Sequence, residues 1–180
     1  MYSTPSNSLE YVTIEEKVLS TFLDLNGGTI MYFVDRNKIT ITLKHLDEIL
    51  SIFEKEENWL KDDISKLALQ RIAHNTMEAM MDVGNYIIDG FIMRDPGSYE
   101  DIIDILIDEK VVTSEMEKPL KDVVGLRKMI VREFINVDNE HVLKVLTDSL
   151  NAIKQFSPLV AAYLENELGP VSAFLPENEA

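Results

Sequence analysis

Along Gly125-Leu-Arg127-Lys-Met-Ile-Val-Arg132-Glu-Phe134, basic side chains interrupt an otherwise apolar run. At helical spacing Arg127 falls in the stripe Leu120, Val124, Arg127, Val131, Phe134, which points toward a packed face. An arginine there needs a carboxylate or a phosphate as partner, because a desolvated guanidinium must recover the hydrogen bonds that water supplied. The spacing leaves both open: a salt bridge to Glu78 or Asp82 on a neighbouring helix, or an anionic ligand. At about 100° per residue, Arg132 lies roughly 140° around a regular helix from Arg127. The two converge only if the helix distorts or a second protomer contributes one of them.

A second constellation is the row Arg71, Asn75, Glu78, Asp82, Asn85, Asp89, which recurs at steps of four and three and shares one helix face. Such a stripe lines a cleft or forms a solvated face carrying an Arg71-Asn75-Glu78 network, and the second is the ordinary use of a polar side. Asp101, Asp104 and Asp108 form a similar row, without histidines or other ligands at metal-binding spacing. His45, His74 and His141 fall on three separate predicted helices, with no zinc spacing. His74 neighbours the polar stripe and is suited to titrate near neutral pH, and pairing with Glu78 is its simplest role. No Gly-rich phosphate loop or nucleophile elbow occurs, and no metal or cofactor is expected.

The elements that must carry these residues are helical. Asp35 caps a predicted helix bearing Ile39, Leu43, Leu46, Leu50 and Phe53 on one face. The longest element should run from about Asp62 to Gly90, with Leu69, Ile72, Ala73, Met77, Met80, Val83 and Ile87 inward and Gly90 as its stop. Arg94-Asp-Pro-Gly97 reads as a turn, and Ser98 caps a short helix with Ile102, Ile103, Leu106 and Ile107. A helix beginning at Thr113 or Ser114 is expected to break or kink at Pro119 and to continue through Phe134. Asp138 opens the last, through Val142, Leu146, Leu150, Ile153 and Phe156, bent at Pro158 and ended by Gly169-Pro170. Period-two alternation is absent, so an all-α bundle of about five to six helices is expected.

Residues 1–30 differ in composition, running from a Ser/Thr/Pro/Asn start through a short helical pattern capped by Thr13-Ile-Glu-Glu16 to Asn26-Gly27-Gly28. They read as a poorly ordered extension before a domain over 31–180. Codons for Asn26-Gly27-Gly28 can contain a ribosome-binding sequence at a suitable distance from Met31, so the native start is expected at Met31. Across 180 residues, 32 acids against 17 bases give a formal charge of -15, so any phosphate must be held by a local basic patch. Cysteine is absent, which excludes disulfides and thiolate chemistry. No leader or membrane-length apolar run is seen, so a cytoplasmic protein without a membrane partner is expected.

Four segments together carry a family resemblance: Arg71-Ile-Ala-His74, Gly84-Asn-Tyr-Ile-Ile-Asp-Gly-Phe-Ile-Met-Arg-Asp-Pro-Gly-Ser-Tyr99, Asp108-Glu-Lys-Val-Val112, and Tyr163-Leu-Glu-Asn-Glu-Leu-Gly-Pro-Val-Ser-Ala-Phe174. Residues 31 to about 174 resemble the HepT-like proteins of the HEPN superfamily, most closely the YutE-type subgroup of Firmicutes. The resemblance implies an antiparallel helical bundle that forms a homodimer. In active relatives it implies a metal-independent ribonuclease toxin paired with a nucleotidyltransferase antitoxin. Their motif is an arginine, then four to six residues, then a histidine, with a tyrosine two residues later. The arginine stabilises phosphate charge, the histidine moves protons, and the tyrosine receives AMP from the antitoxin.

Arg127 fits the arginine, but Arg132 stands at the histidine position and Phe134 at the tyrosine position. A guanidinium with a pKa above about 12 does not act as a general base at neutral pH. The expected function is therefore a catalytically silent dimer that binds RNA or a protein partner through Arg71, Glu78, Asp82, Arg127 and Arg132. The alternative is a ribonuclease toxin in which His74 replaces the missing proton shuttle. That alternative requires His74 to approach Arg127 or Arg132.

Overall fold

The computed structural model describes residues 34–167. The expectations for residues 1–30, for a start at Met31 and for a stop at Gly169-Pro170 lie outside the described residues. Five α-helices follow one another: α1 Arg36–Lys55, α2 Asp63–Gly90, α3 Tyr99–Asp108, α4 Glu117–Arg127 and α5 Asn139–Asn166. No β-strand occurs among the described residues, as the helical periodicity predicted. None of these helices is long and apolar enough to cross a membrane.

Four helix starts fall where a short polar side chain can accept an orphan backbone N–H. Asp35 accepts from Asn37 N at 2.8 Å, Asp62 from Ser65 N at 2.7 Å, Ser98 from Asp101 N at 3.2 Å and Asp138 from His141 N at 3.0 Å. The apolar stripes then meet in one core. Ile39, Leu46, Leu69, Met77, Met80, Ile87, Ile103, Leu120 and Phe156 are almost wholly excluded from solvent. Trp59 stacks on Phe53 and donates its indole N–H to Phe53 O, which satisfies a carbonyl near the end of α1. Helix α5 runs antiparallel to α1, with Ser157 donating to Asp47 and Lys154 to Glu54.

Three expectations are corrected. Pro119 does not break a helix: a 3-10 turn over Ser114–Met116 leads into α4, so the proline sits in the first turn, where its missing N–H costs nothing. The α4 stripe does not continue to Phe134, because the chain opens into a π turn over Lys128–Arg132 and leaves Phe134 66% exposed. Gly90 is the last helical residue of α2 rather than its stop. The stop is a Schellman arrangement in which Ile92, at φ 56°, takes the left-handed place and Met93 N–H donates to Ile88 O. The helix assigned to α5 runs through Pro158 to Asn166.

Helix α3 packs onto α2 at Gly84, and this approach places Tyr99 at the start of α3. A Cβ built on Gly84 would stand 2.4 Å from Ile102 Cγ2, on a β-branched side chain that cannot swing aside within a helix. Gly84→Ala should gain about 1 kcal/mol of helix propensity and lose roughly 1–3 kcal/mol to overpacking. We expect a net loss of stability in urea titration. In an Ile102→Ala background, which removes the obstructing methyl, the same change should become stabilising; stabilisation by Gly84→Ala alone would contradict this packing.

Candidate functional site

Helices α2, α3 and α4 meet around one guanidinium. Arg127, the last residue of α4, is held on one side by Glu78 of α2, with Nε 3.3 Å from Oε1. Its planar head lies over the Tyr99 ring, 4.4 Å from the centroid, at the first residue of α3. Arg127 and Glu78 are 22% and 33% exposed, so the pair is only partly screened by water. The contact is an ion pair without a formed hydrogen bond from Nε, whose N–H is buried and unmatched. The arginine is thus fixed in place by a charge and a ring, with its unmatched Nε shielded from solvent.

The π turn that follows supplies the distortion which convergence of Arg127 and Arg132 requires. Glu133 N–H donates at 3.0 Å to Lys128 O, five residues back. A turn closed by i→i+5 bonds holds more residues than a regular one, so the angle between Arg127 and Arg132 falls well below its α-helical value. Arg132 is exposed and makes no ion pair among the described residues, whereas Lys128 is paired with Glu133. From Lys118 to Arg132 the chain holds five of its 17 bases and one acid, Asp122. Four of the five are paired with acids, Lys118 with Asp122, Lys121 with Asp104 and Glu117, Arg127 with Glu78 and Lys128 with Glu133, which leaves Arg132 as the one without an ion pair among the described residues.

The predicted polar stripe of α2 is split by its partners. Glu78 goes to Arg127, and Asn75 Nδ2 lies 3.4 Å from His45 Nε2 on α1. The expected Arg71-Asn75-Glu78 network is therefore not formed, and Arg71 is exposed. Asp82 is raised above the ordinary carboxylate value by desolvation and then by the charge of Glu78, although the residue still reaches solvent. Asp89 is raised by desolvation and by Asp95. Asn85 borders an open depression beside Tyr99.

His74 is half-buried on α2, one turn before Glu78, and its Nδ1 is buried without a hydrogen-bond partner. The expected His74–Glu78 pair is absent, because Glu78 turns to Arg127. His74 thus shares a helix with Glu78, one turn away, without pairing to it. His141 is exposed near the start of α5. The α3 acids serve structure: Asp101 receives two bonds from Arg94, at 2.7 and 2.6 Å, and one from Gly97 N, which together hold its carboxyl far below the ordinary value. Asp104 bonds Lys121 of α4 at 2.5 Å, and that bond, with Glu117, pushes the ammonium up to about 12. Among the described residues no group of acids and histidines is arranged to hold a metal ion.

Tyr99 is the site residue that sequence reasoning missed. It closes the run from Gly84 as an ordinary helix-start residue, and nothing in the spacing announces that it lies under Arg127.

Residues 42–160 match the family described as Ribonuclease HepT-like. The chain is 46% identical over 144 residues to YutE of Bacillus subtilis, a protein with a provisional RNase name; the match spans 80% of this chain and 99% of YutE. The solved structure of YutE, described as a cytosolic protein of unknown function, superposes with a TM-score of 0.74 over 80% of this chain and all of that one. A tri-AMPylated HEPN toxin of Shewanella oneidensis, solved in complex with its MNT antitoxin, has a TM-score of 0.58 at 24% identity, covering 70% of this chain and 95% of that chain. At that identity the likeness is one of fold.

The raised carboxyl of Asp82 makes a prediction with a definite sign. An acid whose folded pKa lies above its unfolded value favours folding at low pH, and this contribution is lost as pH rises through the folded pKa. Asp82→Asn should therefore match wild type near pH 3 and become the more stable protein as pH rises toward 7. The gain should stay below about 1 kcal/mol, because the side chain reaches solvent. Thermal melts across pH would show it, and a variant less stable at neutral pH would assign Asp82 a favourable partner instead.

Proposed function

The chain belongs to the HepT-like family, and from that premise we propose that it is a catalytically silent member that binds RNA without cutting it, as a dimer. The observation that carries the reading is the state of Arg127. The family's phosphate-stabilising arginine is retained, gripped by Glu78 and Tyr99, with 22% of its side chain still open to solvent. The proton-moving position is instead Arg132, exposed on the π turn, and the position of the modifiable hydroxyl is Phe134, also exposed. Two cations and no acid-base group suit electrostatic binding of a phosphodiester rather than its cleavage. Arg132, exposed and without an ion pair among the described residues, supports RNA as the ligand despite the formal charge of -15.

A second reading rests on His74, whose unmatched Nδ1 lies one turn from the acid that holds Arg127. In it the protein is a metal-independent ribonuclease toxin, with His74 as proton shuttle and a nucleotidyltransferase antitoxin as partner. Phe134 would deny that antitoxin the usual attachment point.

Dimerisation is supported by Phe134 and Ile135, which present 66% and 81% of their surface close in sequence to the exposed Arg132. A second copy would bury them and bring another pair of arginines to the same cleft. Sedimentation at micromolar concentration should give twice the chain mass, and Phe134→Ser with Ile135→Ser should weaken the association; a monomer at every concentration would remove the composite site.

Purified protein should leave single-stranded RNA intact under conditions where an acid-base group contributes about a hundred- to ten-thousand-fold. Arg132→His with Phe134→Tyr should create measurable cleavage, because Arg127 is already in place. Cleavage by wild type that disappears in His74→Ala would overturn the silent reading and establish the second.

A further inference from the structure

Tyr99 offers more than support to an arginine. Arg127 covers one part of the ring, yet the residue remains 45% exposed, unusual for an aromatic so close to the core. The exposed part borders an open depression of about 460 Å³, walled by Pro96 and Ile102, with the polar groups of Asn85 and Ser98 beside the ring. That volume lies in the range of roughly 300–1,000 Å³ for small-ligand sites. An apolar wall, a flat aromatic face and a carboxamide form the surroundings that an unpaired nucleobase uses: stacking on the ring, and donor-acceptor contacts with the amide. The cation needed for the attached phosphate is already stacked on the same ring. Glu100, also at the rim, disfavours phosphate on its side and leaves the Arg127 side as the place for it.

We propose that Tyr99, Asn85 and Arg127 form a subsite for one unpaired nucleotide of single-stranded RNA, its base on Tyr99 beside Asn85 and its phosphate on Arg127. This rests on the RNA-binding reading above and names the contact that reading lacks, a base-facing one. Binding inserts the base against a ring that Arg127 already orients, so little ordering is needed on arrival. Because every base has a stacking face, the subsite tolerates sequence.

The test uses full-length protein and two fluorescent probes of roughly ten nucleotides, within the usual range of single-strand site sizes: an adenosine oligoribonucleotide and an abasic ribose-phosphate chain of equal length. Wild type should bind the adenosine probe more tightly than the abasic one. Tyr99→Ala should weaken the adenosine probe by roughly 5- to 150-fold more than it weakens the abasic probe, the factor for one stacked base. Tyr99→Phe, which keeps the ring, should bind like wild type, and Asn85→Ala should reduce only adenosine binding. Equal weakening of both probes by Tyr99→Ala would reduce the tyrosine to a positioning residue for Arg127 and overturn the base subsite, as would no weakening of either. Failure of wild type to bind any probe would sink the RNA reading itself, an outcome distinct from the other two.

Discussion

A guanidinium that is only 22% exposed has to be answered by its neighbours, and here the answer comes from two other helices. Glu78 of α2 supplies the charge and Tyr99 of α3 the aromatic face, so one side chain of α4 ties three helices together. Gly84 makes this possible by letting α3 lie close enough to α2 for Tyr99 to reach the arginine. The bonds from Arg94 to Asp101 and from Lys121 to Asp104 hold α3 to the preceding loop and to α4. The clasp leaves Nε within ion-pair distance of Glu78 without a formed hydrogen bond.

The helices were largely legible because their signals are local. Asp35, Asp62, Ser98 and Asp138 each precede an apolar stripe, and each accepts a capping bond. Pro119 misled because proline is harmless in a first turn and disruptive in an interior, and sequence alone does not say which turn it occupies. The π turn after Arg127 was hidden for a related reason: nothing in Lys-Met-Ile-Val-Arg distinguishes a wide turn from a regular one.

The site was legible in part. A basic residue in an apolar stripe announced Arg127, and Glu78 was one of two acids named as its partner. Tyr99 stayed hidden because it meets Arg127 across a gap of 28 positions, through the packing of two helices rather than through any repeat. His74 was expected to pair with Glu78 at helical spacing; the stronger, bulkier cation took the acid instead. Tertiary competition for one carboxylate is not a quantity that spacing reveals.

The central claim is that Arg127 meets phosphate rather than serving only as a brace for Glu78. The salt dependence of affinity for single-stranded RNA measures this, because each phosphate contact contributes about 0.7 to the slope of log K against log salt. Wild type should show a steep slope, and Arg127→Met, which keeps the alkyl packing, should flatten it by roughly 0.7 for each copy of the arginine engaged. An unchanged slope with unchanged affinity would mean that Arg127 touches no RNA and that the clasp is structural alone.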